Sequence, residues 1–219
     1  KDKLALYLGE CRRMGITVLV PDVNDSDSDF SAVGEQVRFG LSAVRNVGAN
    51  VVEGILGARR KKGAFTSFQD FLDKVPLQVC NKRAIECLVK AGAFDSMGYS
   101  RKALLAKVEE AVDSVVSLKK NEAAGQFDLF GGADVDLGAG VDVVVPDIPE
   151  WDKKVKLDHE RDMLGLYVSD HPLSGMEHVL DRAADTTIVR LMNEESIQEG
   201  FVSLAGLITS VQPRVSKKN

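Results

Sequence analysis

Leu41-Ser42-Ala43-Val44-Arg45-Asn46-Val47-Gly48-Ala49-Asn50-Val51-Val52-Glu53-Gly54-Ile55-Leu56 holds two short apolar helical patterns hinged on one tight turn of small residues. Val44 and Val47 are spaced to face Val51, Val52, Ile55 and Leu56 across the hinge. Gly48 lets the backbone approach a ligand closely and opens the second helix. A helix start leaves backbone N–H groups without partners at the positive end of the helix dipole, an arrangement that suits a phosphate. Arg38 and Arg45 precede the second helix and Arg59, Arg60, Lys61 and Lys62 follow it, against the single carboxylate Glu53. The pattern reads as a helix-hairpin-helix, a module that holds nucleic-acid backbones. An ordinary helical hairpin with a solvated basic end has the same spacing.

Composition bounds the rest. With 219 residues and 44% apolar content the chain can bury one core or two small ones. No apolar run approaches the roughly 20 residues of a membrane span, so no membrane partner is expected. Lys1-Asp2-Lys3-Leu4 is neither a signal peptide nor an initiator start, and the chain reads as a piece of something longer. Cys11, Cys80 and Cys87 lack paired spacing, which points to reduced thiols and a cytoplasmic location. The net charge of -5 conceals opposite regions. Residues 121–150 carry Glu122, Asp128, Asp134, Asp136, Asp142, Asp147 and Glu150 with no Lys or Arg, so a basic face elsewhere can hold DNA while this segment stays away from it.

The expected fold is mainly α, with a short α/β lead-in. Leu4, Tyr7, Leu8, Cys11 and Met14 predict a helix over 3–14 ended by Gly15, and Ile16-Thr17-Val18-Leu19-Val20 predicts a strand stopped by Pro21. The acidic loop 22–29 lacks the sixth-place glycine and twelfth-place glutamate of a calcium loop, counted from Asp22 or Asp25. Thr66 and Gln69 have capping-box spacing and open a helix through Phe68, Phe71, Leu72 and Val75, with Pro76 ending it. Asn81 caps a helix with Ile85, Leu88 and Val89 on one face, ending at a second hinge, Lys90-Ala91-Gly92-Ala93-Phe94. Ser100 caps a helix to about Leu118. Residues 38–118 are thus read as two helix-hairpin-helix units packed together. Glycines and prolines then mark 119–150 as a linker, within which Gln126-Phe127-Asp128-Leu129-Phe130 is an apolar island. Helical patterns resume from Trp151 to about Gly165 and from Leu173 to Leu180, and Ile197 to Val211 reads as two strand-like runs.

Glu10-Cys11-Arg12-Arg13-Met14-Gly15-Ile16, Pro21-Asp22-Val23-Asn24, Arg38-Phe39-Gly40-Leu41 with Asn46-Val47-Gly48, Lys90-Ala91-Gly92-Ala93-Phe94-Asp95, and Leu164-Gly165-Leu166-Tyr167 with His171-Pro172-Leu173 resemble, in order, signatures of the family C DNA polymerases, the alpha subunits of bacterial replicative DNA polymerase III. The resemblance implies that residues 1–37 end the fingers, that 38–118 form a tandem helix-hairpin-helix domain holding duplex DNA, that 151–194 are connecting helices and that 195–219 start the β-barrel of an OB-fold. It implies DNA contacts at Arg45, Asn46, Val47, Gly48, Ala49, Asn50, Arg59, Arg60, Lys61, Lys62, Lys90 and Gly92. It also makes Gln126, Phe127, Asp128, Leu129 and Phe130 a pentapeptide that docks on the sliding clamp, with Gln126, Leu129 and Phe130 at its anchor positions. Asn46 departs from the glycine found in many such hairpins, but asparagine tolerates left-handed backbone.

No catalytic residue, metal ligand or cofactor is expected within the segment. In the family the carboxylates that hold two Mg2+ ions lie in the palm, which would precede Lys1, and the rest of the polymerase chain is the implied partner. Ser169-Asp170-His171 are consecutive and do not read as a triad, and His159 and His178 have no neighbours at metal-ligand spacing. Two other readings use the same residues. A glycosylase-like repair enzyme would need a catalytic Asp or Lys beside the hairpin, for which Asp95 and Lys90 are the nearby candidates. A protein-interaction module would have the apolar pentapeptide as its whole function.

Overall fold

Apolar groups at helical spacing begin the chain, and in a computed structural model, which describes residues 4–123, 143–187, 191, 201–208 and 211–213, they form helix α1, Leu4–Arg13. Gly15 follows with φ 72°, a left-handed conformation that stops the helix. Leu4, Leu8 and Cys11 are half-buried, while Tyr7 and Met14 lie exposed. The expected strand is β1, Val18–Leu19. It pairs in parallel with β3, Gln36–Arg38, which pairs antiparallel with β2, Ser31–Val33, in the order β1-β3-β2. β2 and β3 carry no strand signal in the sequence, because runs of three residues are too short to show alternation. Gly34, at φ 59°, supplies the tight turn between them.

The first arm of the hairpin differs from expectation. It is a single 3-10 turn, Leu41–Ala43, rather than an α-helix. Leu41 N donates to Asp27 O at 3.0 Å and Ser42 N to Ser28 O at 3.0 Å, while Arg45 N, which an α-helix would bond to Leu41 O, donates to Met163 O at 2.9 Å, so no i→i−4 ladder forms. Gly40 is required at this crossing, since a Cβ would collide with the backbone of Ser28 and Asp29. The second arm is helix α2, Ala49–Lys62.

Helix α3, Phe68–Lys74, is capped one residue later than the sequence predicts. Ser67 Oγ accepts from Asp70 N at 3.1 Å and Asp70 Oδ2 accepts from Thr66 N at 2.8 Å, whereas Gln69 Nε2 is spent on Asp73. Helix α4, Lys82–Ala91, has the expected Asn81 cap and ends on Gly92 at φ 87°. Helix α5, Arg101–Ala123, starts on the expected Ser100 cap but runs five residues past Leu118. Lys119 holds that extension by donating to Leu72 O at 2.6 Å, Asp73 O at 3.2 Å and Val75 O, the unpaired carbonyls where α3 ends.

Helices α2 to α5 bury one core. Val44, Val47, Val52 and Ile55 from the hairpin meet Phe68, Phe71, Ile85, Leu88, Leu104, Val108 and Val112. Phe94 stands edge-on to Phe68 and Phe71, with ring centroids 5.3 and 4.9 Å away, a geometry in which ring edges meet ring faces. Val143 and Val145 pack on the same core, so the end of the stretch read as linker belongs to it. Helix α6 spans Lys153–Leu164 and ends on Gly165 at φ 86°.

Two compact units are present, Lys1–Asp170 and His171–Asn219. In the second, His171 to Gly175 form turns and helix α7, Glu177–Ala183, begins later than the sequence pattern places it. Residues 201–208 and 211–213 take no strand conformation, and Phe201 and Ile208 stand exposed, so the expected opening of a β-barrel is not seen among the described residues. Strand runs without a partner leave their backbone groups unpaired and are marginal in water. The pentapeptide Gln126–Phe130 lies outside the described residues.

Candidate nucleic-acid interface

The chain turns from Val44 into α2 through Asn46, the one residue other than glycine with positive φ among the described residues, at 62°. Its Nδ2 donates to Cys87 Sγ at 3.5 Å, which pins the loop to α4. Arg45 N donates to Met163 O at 2.9 Å, which pins it to α6. Val47 is buried in the core, while Arg45, Asn46, Gly48, Ala49 and Asn50 are exposed. Val51 N and Val52 N both turn back to Gly48 O, at 3.0 and 3.1 Å. The amides of Gly48, Ala49 and Asn50 have no acceptor among the described residues. Three open donors, a helix dipole and the Arg45 side chain therefore face solvent together on a loop held rigid from two sides.

The basic cluster that follows α2's turn divides in a way its spacing does not show. Arg59 is only 19% exposed and faces inward. Its guanidinium donates to Val23 O at 3.2 Å and Ser26 O at 2.9 Å and lies 3.6 Å from Asp27, so it closes the acidic loop onto α2 and is not available to a phosphate. Arg38 is similarly taken by Val20 O and Asp25. Lys62 Nζ donates to Lys74 O at 2.9 Å. Arg60 and Lys61 remain exposed without a partner among the described residues. Beside α2 runs an open cavity of about 780 Å³ whose wall includes Asn50, Glu53, Gly57, Lys61, Asp73 and Lys74, so one groove of mixed charge runs from the helix start to Lys61.

The second hinge is occupied from within. Gly92 is buried, its amide donates to Val89 O, and a Cβ there would strike the Arg101 guanidinium. Arg101 is 1% exposed. It donates to Asp95 through Nε at 2.9 Å and Nη2 at 2.7 Å, to Lys90 O at 3.2 Å and to Glu160 at 3.4 Å. Glu160, fully buried, also accepts from Val168 N, Ser169 N and Ser169 Oγ at 2.6, 2.7 and 2.7 Å. A charge leaves water at tolerable cost only when it is paired in this way. Gly92 thus serves the packing of Arg101. Lys90 is half-buried and offers Arg101 its carbonyl.

The residues weighed as enzyme-like candidates have structural partners. Asp95 is committed to Arg101, Ser169 Oγ to Glu160, and Asp170 pairs with Lys153 at 2.7 Å. The acidic loop is also structural: Asp22 Oδ1 accepts from Asn24 N and Asp25 N, while Asp25 and Asp27 face Arg38 and Arg59. No helix among the described residues is long and apolar enough to cross a membrane.

Arg101 and Glu160 escape a reading based on motifs, yet both leave a mark. Arg101 lies on the Leu104–Val108 stripe of α5, and Glu160 lies between Leu157 and Leu164 on α6. Opposite charges on two apolar stripes are a signal for a buried pair.

Residues 15–104 match the family model described as a helix-hairpin-helix motif. Over 99% of its length the chain is 53% identical to the DNA polymerase III subunit alpha of Saccharopolyspora erythraea, covering 19% of that protein. It is 50% identical, again over 99% of its length, to the same subunit of Mycobacterium tuberculosis strain H37Rv, covering 18% of it. With the Vibrio cholerae subunit the identity is 35% over 99% of the chain and 19% of the relative. The chain spans about a fifth of the length of these relatives. Matched from end to end at these identities and carrying the hairpin motif, it belongs, as a segment, to the DNA polymerase III alpha-subunit family.

Proposed function

We propose that this segment holds duplex DNA by its backbone for a template-directed DNA polymerase and docks that polymerase on a sliding clamp. The observation that carries the first part is the start of α2, where the amides of Gly48, Ala49 and Asn50 are exposed and unbonded beside Arg45. Backbone donors and a helix dipole bind phosphates without reading bases, so the grip is independent of sequence and weakens with salt. Residues 38–118 act as a tandem helix-hairpin-helix domain in which the first hairpin meets the DNA and the second braces it. The second part rests on the pentapeptide Gln126 to Phe130, where Leu129 and Phe130 are the apolar anchors that a preformed groove would bury. Within this reading the chain supplies no catalytic residue; Mg2+ chemistry belongs to the rest of the polymerase.

Asn50→Asp tests the DNA grip. An aspartate in the first turn of a helix is favoured by the dipole, so folding is kept or slightly strengthened, while its charge repels the phosphate that the same amides bind. Duplex affinity, followed by fluorescence anisotropy, should fall by about tenfold or more, and the melting temperature should hold. Undiminished affinity would remove the α2 start from the DNA site. For the clamp, Leu129→Ala with Phe130→Ala should lower clamp affinity by roughly a hundredfold without lowering the melting temperature. Lost stability with intact clamp binding would show instead that the pair packs on its own domain.

A further inference from the structure

The turn between α4 and α5 repeats the plan of the first hinge: a left-handed residue, Asn46 in the first and Gly98 in the second, is followed three residues later by a helix start. The two starts nevertheless differ in what their amides do. At α2 the leading donors are open. At α5 each has an acceptor: Arg101 N donates to Glu150 Oε2 at 3.0 Å, Lys102 N to Glu150 Oε1 at 3.2 Å, and Ala103 N to Ser100 Oγ at 3.1 Å. Glu150 comes from far along the chain. It is delivered by the segment 143–150, which is fastened where Ser100 Oγ donates to Ile148 O at 2.7 Å. Trp151 N donates to Oε1 at 2.9 Å and Lys156 Nζ lies 3.7 Å from Oε2. Two adjacent amides, a further amide and an ammonium group are the donors that would hold a phosphate, and here one carboxylate takes all of them.

We propose that Glu150 is a built-in phosphate mimic that closes the α5 start to DNA, so that of the two helix starts only that of α2 takes a phosphate of the duplex. This rests on the DNA-binding reading above and adds to it which half of the hairpin pair touches the duplex. A helix cap alone needs no charge; Ser100 already supplies one through its hydroxyl. A full negative charge at this point also repels any DNA strand that approaches Lys102, whose side chain is exposed. The two hairpins therefore divide the work: one binds, and the other is sealed and serves as a brace through Arg101 and Glu160.

The test uses the isotope-labelled chain titrated with a duplex, with backbone amides followed by NMR. Gly48, Ala49 and Asn50 should shift as DNA is added, while Arg101 and Lys102 should not. Glu150→Gln keeps an oxygen acceptor and removes the charge. It should raise duplex affinity by about three- to tenfold at low salt and steepen the salt dependence by about one unit, the signature of one more phosphate bound. Arg101 and Lys102 shifting in the unaltered protein at the same DNA concentrations as Gly48 would overturn the proposal. So would a folded Glu150→Gln protein with unchanged affinity and salt slope. If that variant fails to fold, the titration of the unaltered chain decides. Failure of the underlying DNA reading looks different: neither protein binds and no amide at 48–50 shifts, which removes both inferences together.

Discussion

Gly92→Ala isolates what holds the second hinge together. Gly92 has φ 87°, where an alanine costs about 1–2 kcal/mol from backbone sterics alone. Its missing Cβ is also the space into which the buried Arg101 guanidinium is pressed. An added methyl has to push that group away from Asp95, Lys90 O and Glu160, and breaking a buried pair leaves charge uncompensated at a cost of about 3–5 kcal/mol. The two costs together reach about 4–7 kcal/mol, comparable with the whole stability of an ordinary domain at about 5–15 kcal/mol. Gly98→Ala is the matched control. Gly98 has φ 79°, but a Cβ there meets nothing within 4 Å, so only the backbone cost of about 1–2 kcal/mol applies. Urea unfolding followed by circular dichroism, at constant slope, measures the difference. Equal losses for the two alanines would refute the claim that Gly92 is required by Arg101.

Arg59→Ala should lower stability by about 2–3 kcal/mol, since it removes the guanidinium bonds to Val23 O and Ser26 O, and leave the salt slope of DNA binding unchanged. Arg60→Ala with Lys61→Ala should do the reverse, flattening the slope by about one unit for each phosphate no longer neutralised while thermal unfolding stays put; a flattened slope in Arg59→Ala would reverse the assignment. Glu150 predicts an acid dependence. Burial pushes its carboxyl up, but the amides of Trp151, Arg101 and Lys102, with Lys156, pull it below the ordinary value. A depressed carboxyl stabilises the fold above its unfolded pKa of about 4.3 and loses that contribution as pH falls through the folded value. The stability gap between the unaltered protein and Glu150→Gln should therefore be constant above about pH 5 and shrink in acid. A gap that stays flat into strong acid would show that the carboxylate does not stabilise the fold.

How legible each part was follows from the range of the interactions that made it. Helices α4 and α6 and the start of α5 are written locally, in Asn81, Ser100, Gly92 and Gly165 and in apolar groups at helical spacing. Asn46 took the left-handed turn that its side chain permits. Local pattern failed where a distant segment competed for the same backbone. Arg45 N donates to Met163 O instead of Leu41 O, which leaves the first arm of the hairpin a 3-10 turn, and Lys119 carries α5 past the point where the apolar stripe ends. Site residues behave alike. The open amides at 48–50 follow from a helix start, which the sequence shows. That Arg59 faces inward depends on carbonyls of Val23 and Ser26, more than thirty residues away, and no spacing rule reports it.

Within the proposed DNA-binding reading, the acidic residues of this net-negative chain shape the basic surface. Asp27 and Arg59, Asp25 and Arg38, Asp95 and Glu160 with Arg101, and Glu150 at the α5 start each pair a carboxylate with a donor that would otherwise present positive charge or open amides. Pairing removes those groups from competition for phosphate and at the same time fixes the hairpin loops, because the bonds from Arg59, from Glu160 to Arg101 and from Glu150 join segments distant in sequence. On the first hairpin, what stays unpaired among the described residues is narrow: Arg45, the amides at 48–50, Arg60 and Lys61. A broad basic face would hold DNA in many registers, whereas a small rigid one defines where the backbone lies. The carboxylates thereby leave, from the basic side chains of the first hairpin, only a few open to a phosphate.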